Sequence, residues 1–221
     1  MKTKVLRIDP EKPQIDFLTE AVNIIKNGGL VAFPTDTVYG LGANALDEKA
    51  LKRLFTIKRR SLAKPIIILV SDSEKIRPLV KEVSPLIKSL TGKFWPGPLT
   101  IILEKSQEVS PLLAGGTSSV GVRCPDNEIA LTLLKMVGLP VATTSANLSG
   151  QPAAVEINQV LADFEGKIDL AIDGGRCTLG IESTVLDLVV APPLILRPGA
   201  IPAREINQFL AARGQGVRVG G

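Results

Sequence analysis

A run of polar side chains at residues 35–39 follows an apolar segment and is closed by two glycines. The apolar residues 30–33 are typical of a strand. Pro34 cannot donate to a sheet, so we expect the strand to end there and to expose Thr35, Asp36 and Thr37. Gly40 and Gly42 permit close approaches that a side chain would forbid. A turn that only satisfies local backbone groups explains these residues equally well.

Three further loops carry side chains of the same character, at 58–65, 143–150 and 173–183. Binding sites of α/β sheets gather where such loops meet, so we expect the four loops to converge. The available groups are cationic (Lys58, Arg60, Lys64, Arg123, Arg197), hydroxyl-bearing (Thr37, Thr143, Ser145, Ser149, Ser183) and one amide (Asn147). Fixed positive charges among many donors suit a polyanion, most simply a nucleoside triphosphate.

Other interpretations of these loops stay open. The sequence contains neither G-x-x-x-x-G-K-[ST] nor G-x-G-x-x-G, so an ATP site here is of another kind. The cluster Lys58 to Arg60 also fits a solvated helix end favoured by the helix dipole. Ser145 and Asn147 also fit an ordinary turn. Asp36 and Glu182 are acids able to move protons, and the sequence assigns that role to neither.

Composition narrows the class of protein. The chain has 221 residues, a formal charge of +4, 45% hydrophobic and 22% charged residues, as in an ordinary soluble globular protein. It contains no histidine, which excludes Ser-His and Cys-His catalysis and mixed zinc sites. Cys124 and Cys177 are too few for a disulfide framework. No segment approaches the roughly 20 apolar residues of a membrane span, so we expect a cytoplasmic protein.

Helices and strands alternate along the whole sequence, which predicts one α/β domain over residues 1–221, with a core at about 15–212 and a fraying Gly-rich tail at 213–221. Predicted helices are 15–25, 47–57 after an Asp47 cap, 71–83 interrupted by Pro78, 85–94 after a Ser84 cap, 126–137 after an Asp126 cap, 157–164 and 203–212. Predicted strands are 30–33, 66–70, 99–103, 120–123, 140–143, 168–172, 183–189 and 194–197, the last two antiparallel. The run 66–70 is expected to be buried on both faces.

Six motifs in order carry a family resemblance: Phe33-Pro34-Thr35-Asp36-Thr37-Val38-Tyr39-Gly40-Leu41, Lys58-x-Arg60 with Lys64-Pro65, Phe94-Trp95-Pro96-Gly97-Pro98-Leu99-Thr100, Val122-Arg123-x-Pro125, Thr144-Ser145-Ala146-Asn147-x-Ser149-Gly150 and Glu182-Ser183-Thr184-Val185. Together they resemble the YrdC/Sua5 family, the threonylcarbamoyl-AMP synthases. The resemblance implies a YrdC-like domain, a twisted mixed sheet flanked by helices with a basic concave face. It leaves open whether the chain is the short form or the YrdC domain of a longer protein.

The resemblance also implies a reaction. L-threonine, bicarbonate or CO2, and ATP give threonylcarbamoyl-AMP and pyrophosphate, a nucleotidyl transfer that supplies the downstream tRNA threonylcarbamoyl transferase machinery for modification of adenosine 37. Mg²⁺ is expected with ATP, held mainly by phosphates, with no metal ligands from the protein. By resemblance, Thr37, Arg123, Thr143 and Ser183 hold threonine, and Arg60, Lys64, Ser119, Ser145, Asn147 and Arg197 hold ATP. Lys58 and Arg60 act electrostatically on the phosphates.

Two positions depart from the family pattern, and two other functions are compatible with parts of the sequence. Leu69 stands where many relatives carry histidine, and packing against the threonine methyl group would replace a polar contact there. Ala153 stands where relatives often carry serine near the nucleotide. One rival is a double-stranded RNA-binding or ribosome-maturation protein without catalysis, which the net charge supports and the uncharged hydroxyl-rich loops oppose. The other is a carbamoyl-adenylate module of hydrogenase maturation, for which this chain lacks the cysteines and the length. Weak RNA binding is compatible both with the synthase reaction and with the RNA-binding alternative.

Overall fold

The computed structural model describes residues 2–220, which form a mixed β-sheet with α-helices on both faces. The strands are β1 (Lys4–Arg7), β2 (Val31–Phe33), β3 (Gly40–Asn44), β4 (Ile67–Leu69), β5 (Leu99–Glu104), β6 (Ser119–Arg123), β7 (Val141–Ser145), β8 (Leu170–Asp173), β9 (Thr184–Asp187), β10 (Leu194–Arg197) and β11 (Arg218–Val219). The helices are α1 (Ile15–Lys26), α2 (Glu48–Ile57), α3 (Pro85–Phe94), α4 (Glu128–Val137), α5 (Ile157–Phe164) and α6 (Ala203–Ala211), and a 3-10 turn covers Ser73–Ile76. The predicted α/β class is confirmed.

The sheet places strands from distant parts of the chain side by side. Its order is β1-β8-β2-β3-β7-β4-β6-β5-β9-β10-β11. The central strands β3 and β4 both pair antiparallel with β7, and β4 pairs parallel with β6. The predicted antiparallel pair of the last long strands is confirmed as β9 with β10. Segments more than 50 residues apart in sequence therefore meet at the middle of the sheet.

The two faces of the sheet carry separate apolar cores. Alternate residues of a strand point to opposite faces, so Val31 and Phe33 contribute to one core and Ala32 to the other. Helices α1 and α4 cover the first face through residues such as Leu18 and Leu133. The other face is covered by α2, α3, α5 and α6 through Leu54, Leu90, Phe164 and Ile206. The basic concave face stays a prediction.

Helix starts follow the predicted caps, with one exception. The Asp47 carboxylate accepts from the backbone N–H of Lys49 and Ala50, and the Ser84 hydroxyl from that of Ile87. The prediction that Asp126 caps α4 is wrong, because Asn127 is the extended residue whose side chain accepts from Ala130, at 3.0 Å.

No helix among residues 2–220 is long and apolar enough to cross a bilayer.

Glycines at 40 and 42, expected in a loop, lie in β3 instead. A β-carbon at Gly42 would stand 2.7 Å from the Phe33 ring, and one at Gly40 would stand 2.8 Å from the Thr143 methyl group. Both contacts are too short for a real side chain, so the expectation of close approach at these glycines is confirmed. Strand β3 was not predicted, because two of its five residues are glycines, which have a low propensity for strands.

Three terminal or irregular segments also differ from the predictions. The helix expected at 71–83 is only the 3-10 turn, capped by Asp72, after which Val80 forms a β-bridge with Lys105. Strand β1 was not predicted, and it pairs parallel with β8. The tail expected to fray instead contributes β11, which pairs with β10. Gly221, the last residue of that predicted tail, lies outside the described residues.

Candidate active site

A cavity of about 280 Å³ brings the four polar loops together. It is lined by Thr35, Thr37, Val38, Tyr39, Gly40, Arg60, Pro65, Ile66, Ile67, Leu69, Ile102, Arg123, Thr143, Thr144, Ser145, Glu182, Ser183, Val185, Leu196 and Arg197. Each of the loops 34–42, 58–65, 143–150 and 173–183 contributes at least one of these residues, so the predicted convergence is confirmed. Three arginines and one glutamate line a space otherwise made of hydroxyl and aliphatic groups, which suits a small anionic ligand.

Arg123, at the end of β6, is held by a buried ion pair. Its side chain is 4% exposed and donates to Asp36 Oδ1, to Thr37 Oγ1 at 2.8 Å and to the Gly97 carbonyl at 3.0 Å. Burial lowers the pKa of the guanidinium, and the Asp36 carboxylate opposes that shift. Three of the five N–H groups of the side chain are thus committed to the protein, and two remain for a ligand.

The loop between β2 and β3 is buried, contrary to the expectation that Pro34 exposes it. Thr35, Asp36 and Thr37 are all at most 5% exposed. Thr35 does satisfy the local backbone, since its hydroxyl donates to the Val38 carbonyl at 2.7 Å. Asp36 and Thr37 instead reach Arg123 on β6, so the local-turn interpretation holds for Thr35 alone.

A second cluster on the cavity wall joins the ends of β9 and β10. Arg197 donates from Nη1 to Glu182 at 2.8 Å and from Nη2 to the Ser183 hydroxyl at 3.1 Å. The same hydroxyl lies 2.8 Å from Thr100 Oγ1 on β5. The Ser183 side chain is buried and fixed on two sides, so its remaining hydrogen-bonding capacity has a defined direction.

Arg60 reaches the cavity from the loop after α2. Its guanidinium donates to the carbonyls of Lys64, at 3.2 Å, and Pro65, at 2.8 Å, which shapes that loop around it. Burial lowers the pKa of Arg60, Glu182 opposes the shift and Arg197 adds to it. Arg60 and Arg197 both line this cavity, so one bound anion could contact both.

Lys58 is a buried lysine rather than a solvated helix end. It is 1% exposed, and its ammonium group donates to the main-chain carbonyls of Ser145 and Asn147. Burial lowers the pKa of Lys58 to about 7. The side chain does not line the cavity, which differs from the expectation that it faces a ligand; the contacts it makes hold the loop after β7 in place.

The structure thus divides the predicted site residues into two groups. Those that line the cavity are Thr37, Arg123, Thr143 and Ser183, predicted for threonine, and Arg60, Ser145 and Arg197, predicted for ATP. Those outside the lining are Lys58, Lys64, Ser119 and Asn147. The Asn147 amide donates to the carbonyls of Leu148 and Gln151, as the ordinary-turn interpretation requires. Ser119 lies 3.2 Å from the Thr117 hydroxyl, and Lys64 is exposed.

Apart from Leu69, the apolar part of the lining was not predicted from the sequence. The run 66–70 is buried on both faces of the sheet as predicted, since Ile66, Ile68 and Val70 belong to one core and Leu69 to the other. Ile67 is only half-buried, and it lines the cavity together with Leu69, two residues along β4. The period of two in a strand is the signal that could have placed both on one face. Tyr39 also lines the cavity; its hydroxyl donates to the Gly175 carbonyl at 2.7 Å, and burial raises the pKa of the phenol.

Fold and cavity together define an α/β protein with an arginine- and hydroxyl-lined site for a small anion. The Sua5_yciO_yrdC family model, described as "Telomere recombination", matches residues 23–199. The chain belongs to the Sua5/YciO/YrdC family.

Relatives of known name are similar over most of this chain. The threonylcarbamoyl-AMP synthase of Pyrococcus abyssi is 48% identical over 190 residues, which are 86% of this chain and 56% of the relative. That of Bacillus subtilis is 39% identical over 217 residues, covering 95% and 62%. The crystal structure of P. abyssi Sua5 complexed with L-threonine superposes with a TM-score of 0.94 at 44% identity, covering 99% of this chain and 63% of that one. The chain therefore spans somewhat more than half the length of these relatives.

Proposed function

We propose that this chain is a threonylcarbamoyl-AMP synthase domain, which forms threonylcarbamoyl-AMP and pyrophosphate from L-threonine, bicarbonate or CO2, and ATP. The observation that carries the proposal is the convergence of Thr37, Arg60, Arg123, Ser183 and Arg197 on one cavity. It is supported by the 48% identity to a relative of that name and by the likeness to a Sua5 that was solved with L-threonine. ATP enters as its Mg²⁺ complex, with the ion held by phosphates and water.

The proposed chemistry proceeds in two steps. The free threonine amine adds to CO2 and gives a carbamate, and the proton it loses passes to solvent; starting from bicarbonate, that proton leaves within the one water released. A carbamate oxygen then attacks the α-phosphorus of ATP, the bond from that phosphorus to the bridging oxygen breaks, and pyrophosphate leaves with the electron pair. The product is a mixed anhydride of the carbamate and AMP. No covalent intermediate with the protein is required, which agrees with a chain that contains no histidine.

The arginines supply what this chemistry needs most. Carbamate and triphosphate are both anionic, and two like charges 4 Å apart repel by about 1 kcal/mol in water and several times that in a drier site. Arg60 and Arg197 would offset phosphate charge, and Ser145 would donate to a phosphate oxygen. Lys58 would not contact the phosphates itself; it would hold in place the backbone that carries Ser145.

The other end of the cavity has the groups that threonine requires. The two uncommitted N–H groups of Arg123 suit the threonine carboxylate, and Thr37 fixes their orientation. Ser183 and Thr143 offer hydroxyls, and the aliphatic side chains of Leu69 and Ile67 would pack against the threonine methyl group. A lost methyl contact is worth about 0.8 kcal/mol, so we expect serine to be used several-fold less well than threonine.

Incubation with labelled bicarbonate, L-threonine and ATP tests the proposal directly. We expect a labelled mixed anhydride and one pyrophosphate per product, with neither formed when threonine is omitted. Titration with RNA in a gel-shift assay, at two salt concentrations, examines the RNA-binding alternative. Tight RNA binding without product formation would replace the proposal by that alternative. We further propose that the domain works in the cytoplasm and passes its product to the tRNA threonylcarbamoyl transferase machinery.

A further inference from the structure

A second cavity lies next to the candidate active site and shares Leu69 with it. Its volume is about 330 Å³, similar to that of the first. The walls come from the segment after β4, the C-terminal end of α4 and the turn into β7. Most of the lining is apolar, from Leu69, Val70, Leu79, Leu134, Leu139 and Pro140. Apart from Leu69, no residue assigned to threonine or ATP belongs to it.

Two lysines give this apolar space a positive entrance. Lys75, in the 3-10 turn, and Lys135, in the last turns of α4, both line the cavity and are exposed. Neither ammonium group forms an ion pair with a carboxylate among residues 2–220. The one acid in the lining, Asp72, accepts from the Ser71 hydroxyl at 2.9 Å and from the N–H groups of Glu74 and Lys75, and it keeps its charge, so two lysines and one aspartate leave the lining with a net positive charge.

We propose that this second cavity binds a small organic anion with an apolar body, such as a medium-chain aliphatic carboxylate. Its volume and mainly apolar lining are those of a ligand pocket. The positive charges of Lys75 and Lys135 at its edge complement an anionic head group, while the leucines accept the apolar body. A neutral apolar molecule would leave both lysines unused, and an inorganic anion would leave the leucines unused.

The second cavity is mechanically linked to the first. Leu69 is a wall of both, and the next residue, Val70, donates its backbone N–H to the Arg123 carbonyl at 2.9 Å. Packed interiors transmit small displacements rather than absorbing them. A ligand that moves Leu69 or Val70 therefore alters the wall of the cavity that holds Arg123. This coupling to threonine affinity rests on the proposed function; binding in the second cavity does not.

Hexanoate is the probe that tests the site. Methyl-detected NMR of the leucine residues, with isothermal titration, should show saturable binding at about 1 mM or below, with the largest shifts at Leu69, Leu79, Leu134 and Leu139. Acetate lacks the apolar body and 1-hexanol lacks the charge, so both should bind more weakly. Equal affinity of all three probes, or shifts confined to other leucines, would overturn the proposal.

Paired variants separate the site from non-specific attraction. Lys75→Ala with Lys135→Ala should weaken hexanoate binding about three- to tenfold. The matched control removes two exposed lysines of α3 outside the cavity, Lys88→Ala with Lys93→Ala, and should leave the affinity unchanged. Equal losses in the two double variants would refute the assignment. These surface substitutions spare the core, so the folded state is retained for the comparison.

A second substitution and a second readout complete the test. Leu139→Trp narrows the cavity and should abolish the hexanoate shifts at Leu134 while the thermal unfolding midpoint stays near that of the parent; a folded variant with unchanged affinity would contradict the proposal. Saturating hexanoate should also change the threonine affinity at least twofold. If threonine does not bind at all, the proposed function fails, and the hexanoate shifts still decide the second site.

Discussion

Replacing Arg123 by methionine tests whether the Asp36–Arg123 ion pair organises the active-site wall. Asp36 is 5% exposed, and its Oδ2 atom has no hydrogen-bond partner among the described residues. In the variant, the buried carboxylate loses its compensating charge, while Thr37 Oγ1 and the Gly97 carbonyl each lose a donor. Methionine has a similar reach but supplies neither charge nor N–H groups.

The expected loss is large because one partner of a buried pair stays behind. Breaking such a pair destabilises a protein by about 3–5 kcal/mol. For a chain of this size, about 2–4 °C of melting temperature corresponds to 1 kcal/mol, so we expect a drop of about 6–20 °C. Asp36→Asn combined with Arg123→Met removes both charges and should cost at least about 1 kcal/mol less than the sum of the single substitutions.

Urea unfolding followed by circular dichroism measures these free energies of unfolding. The control is Lys4→Met, which breaks an ion pair with Glu20 that is 2.7 Å long and has side-chain exposures of 55% and 40%. We expect it to cost at most about 1 kcal/mol. If Arg123→Met costs no more than this control, or if the losses in the double variant are additive, the ion pair does not hold this part of the structure together.

Three further predictions concern single residues of the site. Arg60→Ala should keep the fold and lower pyrophosphate release at least about 100-fold, because phosphate charge loses a partner; near-normal turnover would remove Arg60 from that role. Ser183→Ala should weaken threonine binding about fivefold by calorimetry, from one lost hydrogen bond, and an unchanged affinity would exclude Ser183. Burial lowers the pKa of Lys58 to about 7 from its usual 10.5. Between these two pH values the unfolded chain binds more protons than the folded one. The free energy of unfolding should therefore rise with pH over this range, by up to about 1.4 kcal/mol per pH unit. Lys58→Met should lose that rise in urea unfolding at pH 7 to 10; an identical pH dependence would refute it.

Long periodic segments were predictable because local chemistry decides them. The apolar spacing of α1 and the Asp47 cap of α2 both reappear in the structure, with Ala50, Leu51 and Leu54 buried as the pattern requires. Strand β3 was not predictable from local sequence. Its glycines are required because the Phe33 ring and the Thr143 methyl group, on the two neighbouring strands, leave no room for a β-carbon. Tertiary packing decided that element, and a single sequence does not display it.

The candidate site follows the same division. Residue types and motif order were enough to place Thr37, Arg60, Arg123 and Ser183 in one cavity. The burial of individual side chains could not be predicted from the sequence. Lys58 lies in a basic cluster typical of the surface, and only its contacts with two main-chain carbonyls show that it is internal. For the same reason, the aliphatic lining other than Leu69 was not predicted.

The cavity also has a consequence for how the protein acquires activity. Arg123 reaches 86 residues back to Thr37, and Ser183 reaches 83 residues back to Thr100. A site of such high contact order closes only when nearly the whole sheet has assembled, so partly folded forms should not recognise ligand. Ligand would then bind the native state alone, and its concentration would raise resistance to heat and proteolysis across the entire domain.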